Sequence, residues 1–130
     1  MDLTTTQGSC QCGEVKYALQ SRPIAQVMEC NCSMCGRAGA LWTAATDADL
    51  RIDCDLTGLG LRQFGTMRAK HYFCKTGGVH PFTRPRLDPT RWAVNVRCLE
   101  GVDVKALKVI PFDGQNWEAA ATSYMERARR

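Results

Sequence analysis

Eight cysteines in a chain of 130 residues limit what this sequence can become more than any other feature does. Six of them form three groups along the chain: Cys10 and Cys12, then Cys30, Cys32 and Cys35, then Cys74. The N-terminal residues carry neither the basic region nor the apolar region of a secretory signal, so we expect a cytoplasmic protein. Because cytosolic thiols stay reduced, a disulfide framework is not expected, and metal binding is the natural interpretation of these cysteines.

The composition predicts one domain over residues 1–130, because 45% of the residues are hydrophobic and 23% are charged, as in ordinary globular proteins. No stretch approaches the ~20 apolar residues needed to span a bilayer, so no membrane partner is expected. The formal net charge of +4 owes much to Arg127, Arg129 and Arg130 at the end of the chain. This pattern favours a solvated tail, and a nucleic-acid partner is not expected.

Short apolar runs separated by Gly, Pro, Asp and Thr predict many short strands. The predicted strands cover residues 13–19, 24–30, 41–46, 50–54, 61–64, 69–74 and 92–99. The prolines of segment 81–86 predict a stiff loop, and Gly36 and Gly39 predict a loose backbone after the second cysteine group. Residues 117–130 are rich in Ala and Glu and predict a terminal helix. The fold class is therefore mainly β, with short antiparallel strands over residues 8–112 and a helical tail over residues 113–130.

Cys30, Cys32 and Cys35 place three thiols within six residues, with no Cys or His immediately after them. Zinc binds thiolates in a tetrahedral array, and three protein ligands leave one position for water or substrate. The spacing therefore predicts a zinc site with a functional role, in which these three cysteines are the candidate catalytic ligands. A redox pair of Cys32 and Cys35, or a set of buried free thiols, remains an alternative.

The remaining metal-binding residue types are less informative. Cys10, Cys12 and Cys74 can form a second site only if the fold brings them together, which their spacing alone does not establish. Cys54 and Cys98 lie in apolar runs and are interpreted as small core residues. His71 is interpreted as structural or surface-exposed, and His80 could be a ligand or a substrate contact.

Three motifs together resemble the family of glutathione-dependent formaldehyde-activating enzymes, which also includes the centromere protein V domain. They are Gly8-Ser9-Cys10-Gln11-Cys12-Gly13, Cys30-Asn31-Cys32-Ser33-Met34-Cys35 and Phe73-Cys74-Lys75-Thr76-Gly77-Gly78, and the likeness extends to about Leu99. The resemblance implies a zinc-binding β-tent fold with two zinc sites. In the family, the set matching Cys10, Cys12 and Cys74 is structural, whereas the set matching Cys30, Cys32 and Cys35 is associated with catalysis and glutathione.

The sequence departs from the family pattern at one position of the structural site. The family has C-x-x-C-G where this chain has Cys74-Lys75-Thr76-Gly77-Gly78, so the fourth ligand is replaced by Gly77. We expect a weakened or empty structural zinc site, unless another group such as His80 is recruited.

The activity implied by the resemblance is that of a zinc-dependent carbon–sulfur lyase similar to S-(hydroxymethyl)glutathione synthase. Such an enzyme adds the thiolate of its co-substrate glutathione to formaldehyde or another small aldehyde, or reverses this addition. Arg37, Arg84 and Arg86 are candidate partners of the glutathione carboxylates, and ordinary solvated surface charge is the alternative interpretation of each. A zinc-stabilised binding module without turnover and a thiol redox or metal-buffering protein are the alternatives, and the oligomeric state stays open.

Overall fold

A computed structural model describes residues 3–128 of the chain. The fold is mainly β with a short C-terminal helix, as predicted. Its strands are Thr4–Ser9 (β1), Lys16–Ser21 (β2), Gln26–Cys30 (β3), Trp42–Ala45 (β4), Leu50–Ile52 (β5), Gly60–Arg62 (β6), Lys70–Phe73 (β7), Phe82–Arg84 (β8), Trp92–Asn95 (β9) and Lys108–Phe112 (β10). Its α-helices are Ser33–Ala38 (α1) and Trp117–Ala128 (α2). Arg129 and Arg130, the predicted end of the helix and of the tail, lie outside the described residues.

The strands form two sheets. A three-stranded sheet has the order β1-β2-β5, and a seven-stranded sheet has the order β10-β3-β4-β9-β8-β7-β6. Neighbouring strands are antiparallel except β10, which runs parallel to β3 and places Phe112 opposite Cys30. Pro111 is tolerated in β10 because that strand lies at the edge of the sheet, where a missing backbone N–H leaves no ladder bond unmade. This pairing brings the chain after β10 to the cysteine loop that follows β3.

Aromatic residues from both sheets meet in one core. Tyr17 of β2 contacts Phe82 of β8 edge-on, with ring centroids 5.3 Å apart, and Phe82 contacts Trp92 of β9 in the same way at 5.3 Å. Edge-to-face pairs of this kind contribute about 0.5–1.5 kcal/mol beyond the burial of their surface. The core therefore fixes the two sheets against each other. Neither helix within residues 3–128 is long and apolar enough to cross a membrane.

Several local predictions were wrong. Strands β1 and β10 were not predicted, and the proline-containing segment 81–86, predicted as a loop, contains β8. Strand β9 ends at Asn95 and not at residue 99, because the Asn95 side chain accepts a hydrogen bond from the Arg97 N–H and starts a 3-10 turn. The predicted loose backbone at Gly36 is part of α1, and Gly39 ends that helix with a left-handed φ of 69°.

Candidate metal centres

The structure brings the sulfurs of Cys30, Cys32 and Cys35 together, all within 4.8 Å of one another. Cys30 ends β3, the Cys32 side chain caps the N-terminus of α1, and Cys35 lies in the first turn of that helix. Tetrahedral thiolates at about 2.3 Å from zinc lie about 3.8 Å from one another. The donor type and the separations therefore fit a single thiophilic ion held by this triad.

Hydrogen bonds stabilise negative charge on Cys32. Its Sγ accepts the backbone N–H of Cys35 at 3.3 Å, as expected for a helix N-cap. The thiols of Cys30 and Cys35, followed by this backbone N–H, lower the pKa of Cys32 strongly. The interaction with Cys32 raises the pKa of Cys30, and that with Cys30 raises the pKa of Cys35. Negative charge in the triad is thus favoured on Cys32, and metal binding must displace the protons that the triad holds without a metal.

The chain after β10 closes over this triad. Asn31 donates from Nδ2 to Asp113 Oδ1 at 3.0 Å and accepts the Gln115 N–H on its Oδ1 at 3.1 Å. A Cβ atom on Gly114 would lie 2.6 Å from Cys30 Sγ, so residue 114 has no room for a side chain. In the sequence, Asp113-Gly114 is an ordinary turn signal and does not predict this role.

The three cysteines line a cavity of about 800 Å³. The cavity lies against β4, β8 and β9, and α2 contributes Trp117, Tyr124 and Met125 to its wall. His71 and Arg86 line the same cavity. A volume of this size suits a ligand of small-peptide or drug size. The wall of this cavity therefore presents thiols, an imidazole and a guanidinium to a ligand.

Arg86 is the candidate arginine that faces the triad's cavity. Its guanidinium carbon lies 3.8 Å from the centroid of the Trp117 ring, and its buried Nε has no hydrogen-bond partner among residues 3–128. Buried donors are normally paired, so this N–H is a donor that the described residues leave unsatisfied. Arg84, by contrast, forms a salt bridge with Asp47, with 2.8 Å between a guanidinium nitrogen and Oδ1. Its guanidinium carbon lies 3.7 Å from the centroid of the Trp92 ring.

A second cavity, of about 900 Å³, adjoins the first and shares Ser33 and Phe64 with it. Arg37, Arg62 and Arg97 line it, and none of the described residues in its wall is acidic. Arg37 and Arg97 donate to the backbone carbonyls of Ser33 and Gly39, which fixes their positions at the two ends of α1. The surface beside the triad is therefore positively charged and suited to anionic groups.

The two histidines lie in different cavities. His71, predicted as structural or surface-exposed, is 6% exposed and lines the cavity of the triad, and burial lowers its pKa. His80 lines the second cavity and packs against Phe73, with ring centroids 5.6 Å apart. Burial also lowers the pKa of His80. Within residues 3–128, neither histidine belongs to a group of metal-ligating side chains.

Cys10, Cys12 and Cys74 also converge, and their sulfurs lie within 4.8 Å of one another. The fold brings them together because Cys10 and Cys12 follow β1 and Cys74 follows β7. Cys12 Sγ lies 3.2 Å from Cys10 Sγ and 3.4 Å from Cys74 Sγ. Gly77 donates its backbone N–H to Cys74 Sγ at 3.2 Å but offers no side chain. The described part of the chain thus supplies three ligand atoms to this centre.

In this second triad, negative charge is favoured on Cys10 and disfavoured on Cys12. Burial acts to raise the pKa of Cys10, but hydrogen bonds from the Val15 N–H and from the Cys12 and Cys74 thiols lower it to about 7. The Glu14 N–H acts to lower the pKa of Cys12, but interactions with Cys10 and Cys74 raise it to about 11. One thiolate near neutral pH is therefore expected on Cys10.

Cys54 and Cys98 belong to neither triad among the described residues. Both are partly buried and pack against the main core, Cys54 after β5 and Cys98 in a 3-10 turn. The packing agrees with their interpretation as core residues, although neither lies in a strand.

Two comparisons with known proteins agree with this architecture. The model of the family described as glutathione-dependent formaldehyde-activating enzyme matches residues 5–113. A crystal structure of a Rhodobacter sphaeroides protein, determined as a structural genomics target, is similar to this chain with a TM-score of 0.73 and 39% sequence identity. The similarity covers 81% of this chain and 97% of that one.

Proposed function

Because this chain belongs to the family of glutathione-dependent formaldehyde-activating enzymes, we propose that it is a zinc-dependent carbon–sulfur lyase acting on a glutathione–aldehyde adduct. The reaction joins the glutathione sulfur to the carbonyl carbon of formaldehyde, or of another small aldehyde, and in reverse cleaves that carbon–sulfur bond. A cytoplasmic location is part of the proposal and is compatible with eight free thiols.

One observation carries this proposal: the three thiols of Cys30, Cys32 and Cys35 line a cavity of about 800 Å³. A purely structural zinc site has four protein ligands, whereas catalytic sites keep a position open. Among the described residues this triad has no fourth ligand. Its cavity is large enough for a tripeptide to approach the site.

These three cysteines would hold the zinc ion. When bound, zinc supplies a positive charge that lowers the pKa of a substrate thiol and so favours the nucleophilic thiolate. The N–H donors at the start of α1 help to hold the triad in its deprotonated form, because hydrogen bonds to a charged sulfur favour that charge. Gly114 and the Asn31 hydrogen bonds fix the loop that carries the first two ligands.

Arginines of the two cavities would hold the carboxylates of glutathione. Arg86 lines the cavity of the triad and can offer its guanidinium, which stacks on Trp117, to one carboxylate. Arg37, Arg62 and Arg97 form the cationic wall of the neighbouring cavity. Two anchored carboxylates would keep the substrate sulfur close to the triad, and such positioning accounts for much of the rate enhancement in addition reactions. Arg84 is not proposed as a carboxylate partner, since it already pairs with Asp47 and stacks over Trp92.

The second triad is proposed to be a structural zinc site that has lost affinity. Cys10, Cys12 and Cys74 supply three sulfurs, and Gly77 stands in the loop where the family has a fourth cysteine. Structural zinc contributes to folding free energy in small domains. The main core of this chain, which spans both sheets, would compensate for that loss.

The test combines zinc content, glutathione binding and turnover in the wild type and in C32S. Elemental mass spectrometry should find about one zinc per chain, lost in C32S, as expected for one competent triad. Calorimetry should show saturable glutathione binding that is much weaker for S-methylglutathione, whose sulfur cannot become a thiolate. The rate of adduct formation, measured by exchange NMR, should exceed the uncatalysed rate.

Each alternative gives a different result in these measurements. Zinc-dependent glutathione binding without any increase in rate would indicate a binding module. Absence of zinc together with a reversible Cys32–Cys35 disulfide would indicate a thiol redox protein. Glutathione binding that is unchanged in C32S would contradict the proposal that this triad is the substrate site.

A further inference from the structure

The hydrogen bonds of Thr83 determine which nitrogen of His71 carries its proton. The two residues are cross-strand partners on β7 and β8. The single hydroxyl proton of Thr83 is donated to the Lys70 carbonyl oxygen at 2.7 Å, because a carbonyl can only accept. Thr83 Oγ1 also lies 3.2 Å from His71 Nδ1, and in this contact the oxygen must accept. The proton of the neutral ring is therefore on Nδ1.

With Nδ1 protonated, Nε2 of His71 has a free lone pair. Among residues 3–128, no side chain or backbone group forms a hydrogen bond with Nε2. His71 lines the cavity of the cysteine triad, and Phe64 stacks on its ring with centroids 5.8 Å apart. Burial lowers the pKa of His71, while a charge on Cys32 acts in the opposite direction, so the triad lies within electrostatic reach of this ring. A proton acceptor is thus held in a fixed orientation beside the proposed substrate site.

We propose that Nε2 of His71 carries the proton between the substrate thiol and the aldehyde oxygen. This inference rests on the proposed function. In the forward direction Nε2 takes the S–H proton, and the sulfur electron pair forms the bond to the carbonyl carbon. The carbonyl π pair moves to oxygen, which receives the proton from Nε2–H and becomes the hydroxyl of the adduct. The imidazole returns to its neutral form, so the step needs no oxidant or other reactant.

Thr83 is the positioning residue for this proton transfer. Without its acceptor oxygen, the Nδ1–H of His71 would lack a partner, and the ring could place its proton on Nε2 instead. That tautomer offers a donor to the cavity and cannot accept the thiol proton. The chain has two histidines, so ¹⁵N-histidine labelling yields two ring systems, and an H80N variant assigns them.

The first experiment measures the tautomer by ¹⁵N NMR. Wild type and T83S should show His71 protonated on Nδ1 and unprotonated on Nε2, whereas T83V should shift the proton toward Nε2. Observation of a protonated Nε2 in the neutral wild-type ring would overturn the proposal. This measurement needs neither substrate nor turnover.

The second experiment measures the catalysed rate of adduct formation in H71N. The asparagine amide can still donate to Thr83, so packing is preserved while the Nε2 position is lost. We expect the catalysed rate to fall by about 10²–10⁴-fold, with zinc content and glutathione affinity unchanged. Should H71N fail to fold, T83V must lower the rate relative to T83S. A wild type without catalysis would overturn the proposed function and this proposal together, whereas full activity in H71N overturns this proposal alone.

Discussion

Gly77 lies beside Cys12 such that a Cβ atom on residue 77 would be 3.6 Å from the Cys12 Sγ. The same atom would be 3.7 Å from Cys74 Sγ. Gly77 does not share the left-handed conformation of Gly78, whose φ is 73°, so its backbone suits an ordinary side chain. A thiol at residue 77 could therefore reach the second triad without a change in the loop.

Replacing this glycine by cysteine should restore a complete structural site. In G77C we expect zinc content to rise from about one to about two per chain, because four thiolates form a closed tetrahedral site. The melting temperature should rise, and a chelator should remove the gain. G77A adds the Cβ atom without a thiol and should keep the wild-type zinc content. Equal zinc content in G77C and G77A would show that the loop does not present residue 77 to the triad.

A side chain at residue 114 should damage the first triad. The Cβ atom of G114A would lie 2.6 Å from Cys30 Sγ and 2.8 Å from Cys32 Cβ, so the loop must shift. We expect weaker zinc binding in competition with a chromophoric chelator and a loss of about 1–3 kcal/mol in urea unfolding. G58A is the matched control, because a Cβ atom there has nothing within 4 Å. Wild-type zinc affinity in G114A would contradict the proposed contact.

Removal of the Arg86 side chain should weaken glutathione binding. A hydrogen bond to a charged group contributes about 1.5–3 kcal/mol, so R86A should raise the dissociation constant by about 10- to 150-fold in calorimetry. R86K keeps the charge but not the planar guanidinium and should recover only part of the affinity. R51A serves as the control, because Arg51 pairs with Asp53 at the surface. If R86A and R51A bind glutathione with the same affinity, Arg86 is excluded as a carboxylate partner.

Acid should destabilise the protein partly through His71. Burial lowers its pKa below the ordinary 6.5, so the unfolded chain binds more protons than the folded one as the pH falls. The contribution to the free energy of unfolding is complete above pH 6.5 and is lost as the pH falls through the lowered pKa. In urea unfolding between pH 5 and 7.5, the free energy of unfolding should fall less with acid in H71N than in wild type. Acid release of zinc lowers this free energy in both proteins. Parallel profiles would show that His71 titrates normally.

The sequence predicted those parts of the molecule whose signal is local. The spacing of Cys30, Cys32 and Cys35 suffices to place three sulfurs on one turn, and the Ala-rich tail forms the helix that it predicts. The convergence of Cys10 and Cys12 with Cys74 could be expected only through a family resemblance, because it depends on how distant strands assemble.

The surroundings of the triad could not be predicted from local patterns. Gly114 contacts the cysteine loop because β10 joins β3 in parallel, and a pairing between residues about eighty positions apart leaves no periodic signal. His71 looked like an ordinary strand residue, and its orientation depends on Thr83 of the next strand. Among the three candidate arginines, only the packed structure distinguishes Arg86 from Arg84, since both adjoin Pro85 in the sequence.

The parallel pairing of β10 with β3 also bears on the order of events during synthesis. Asn31 finds its partners at Asp113 and Gln115, which leave the ribosome long after the first triad has emerged. The thiols of the nascent chain therefore remain uncovered until almost all of the described chain has been translated. If the first triad holds zinc as proposed, the loop that shapes this site is completed only in the last stage of synthesis.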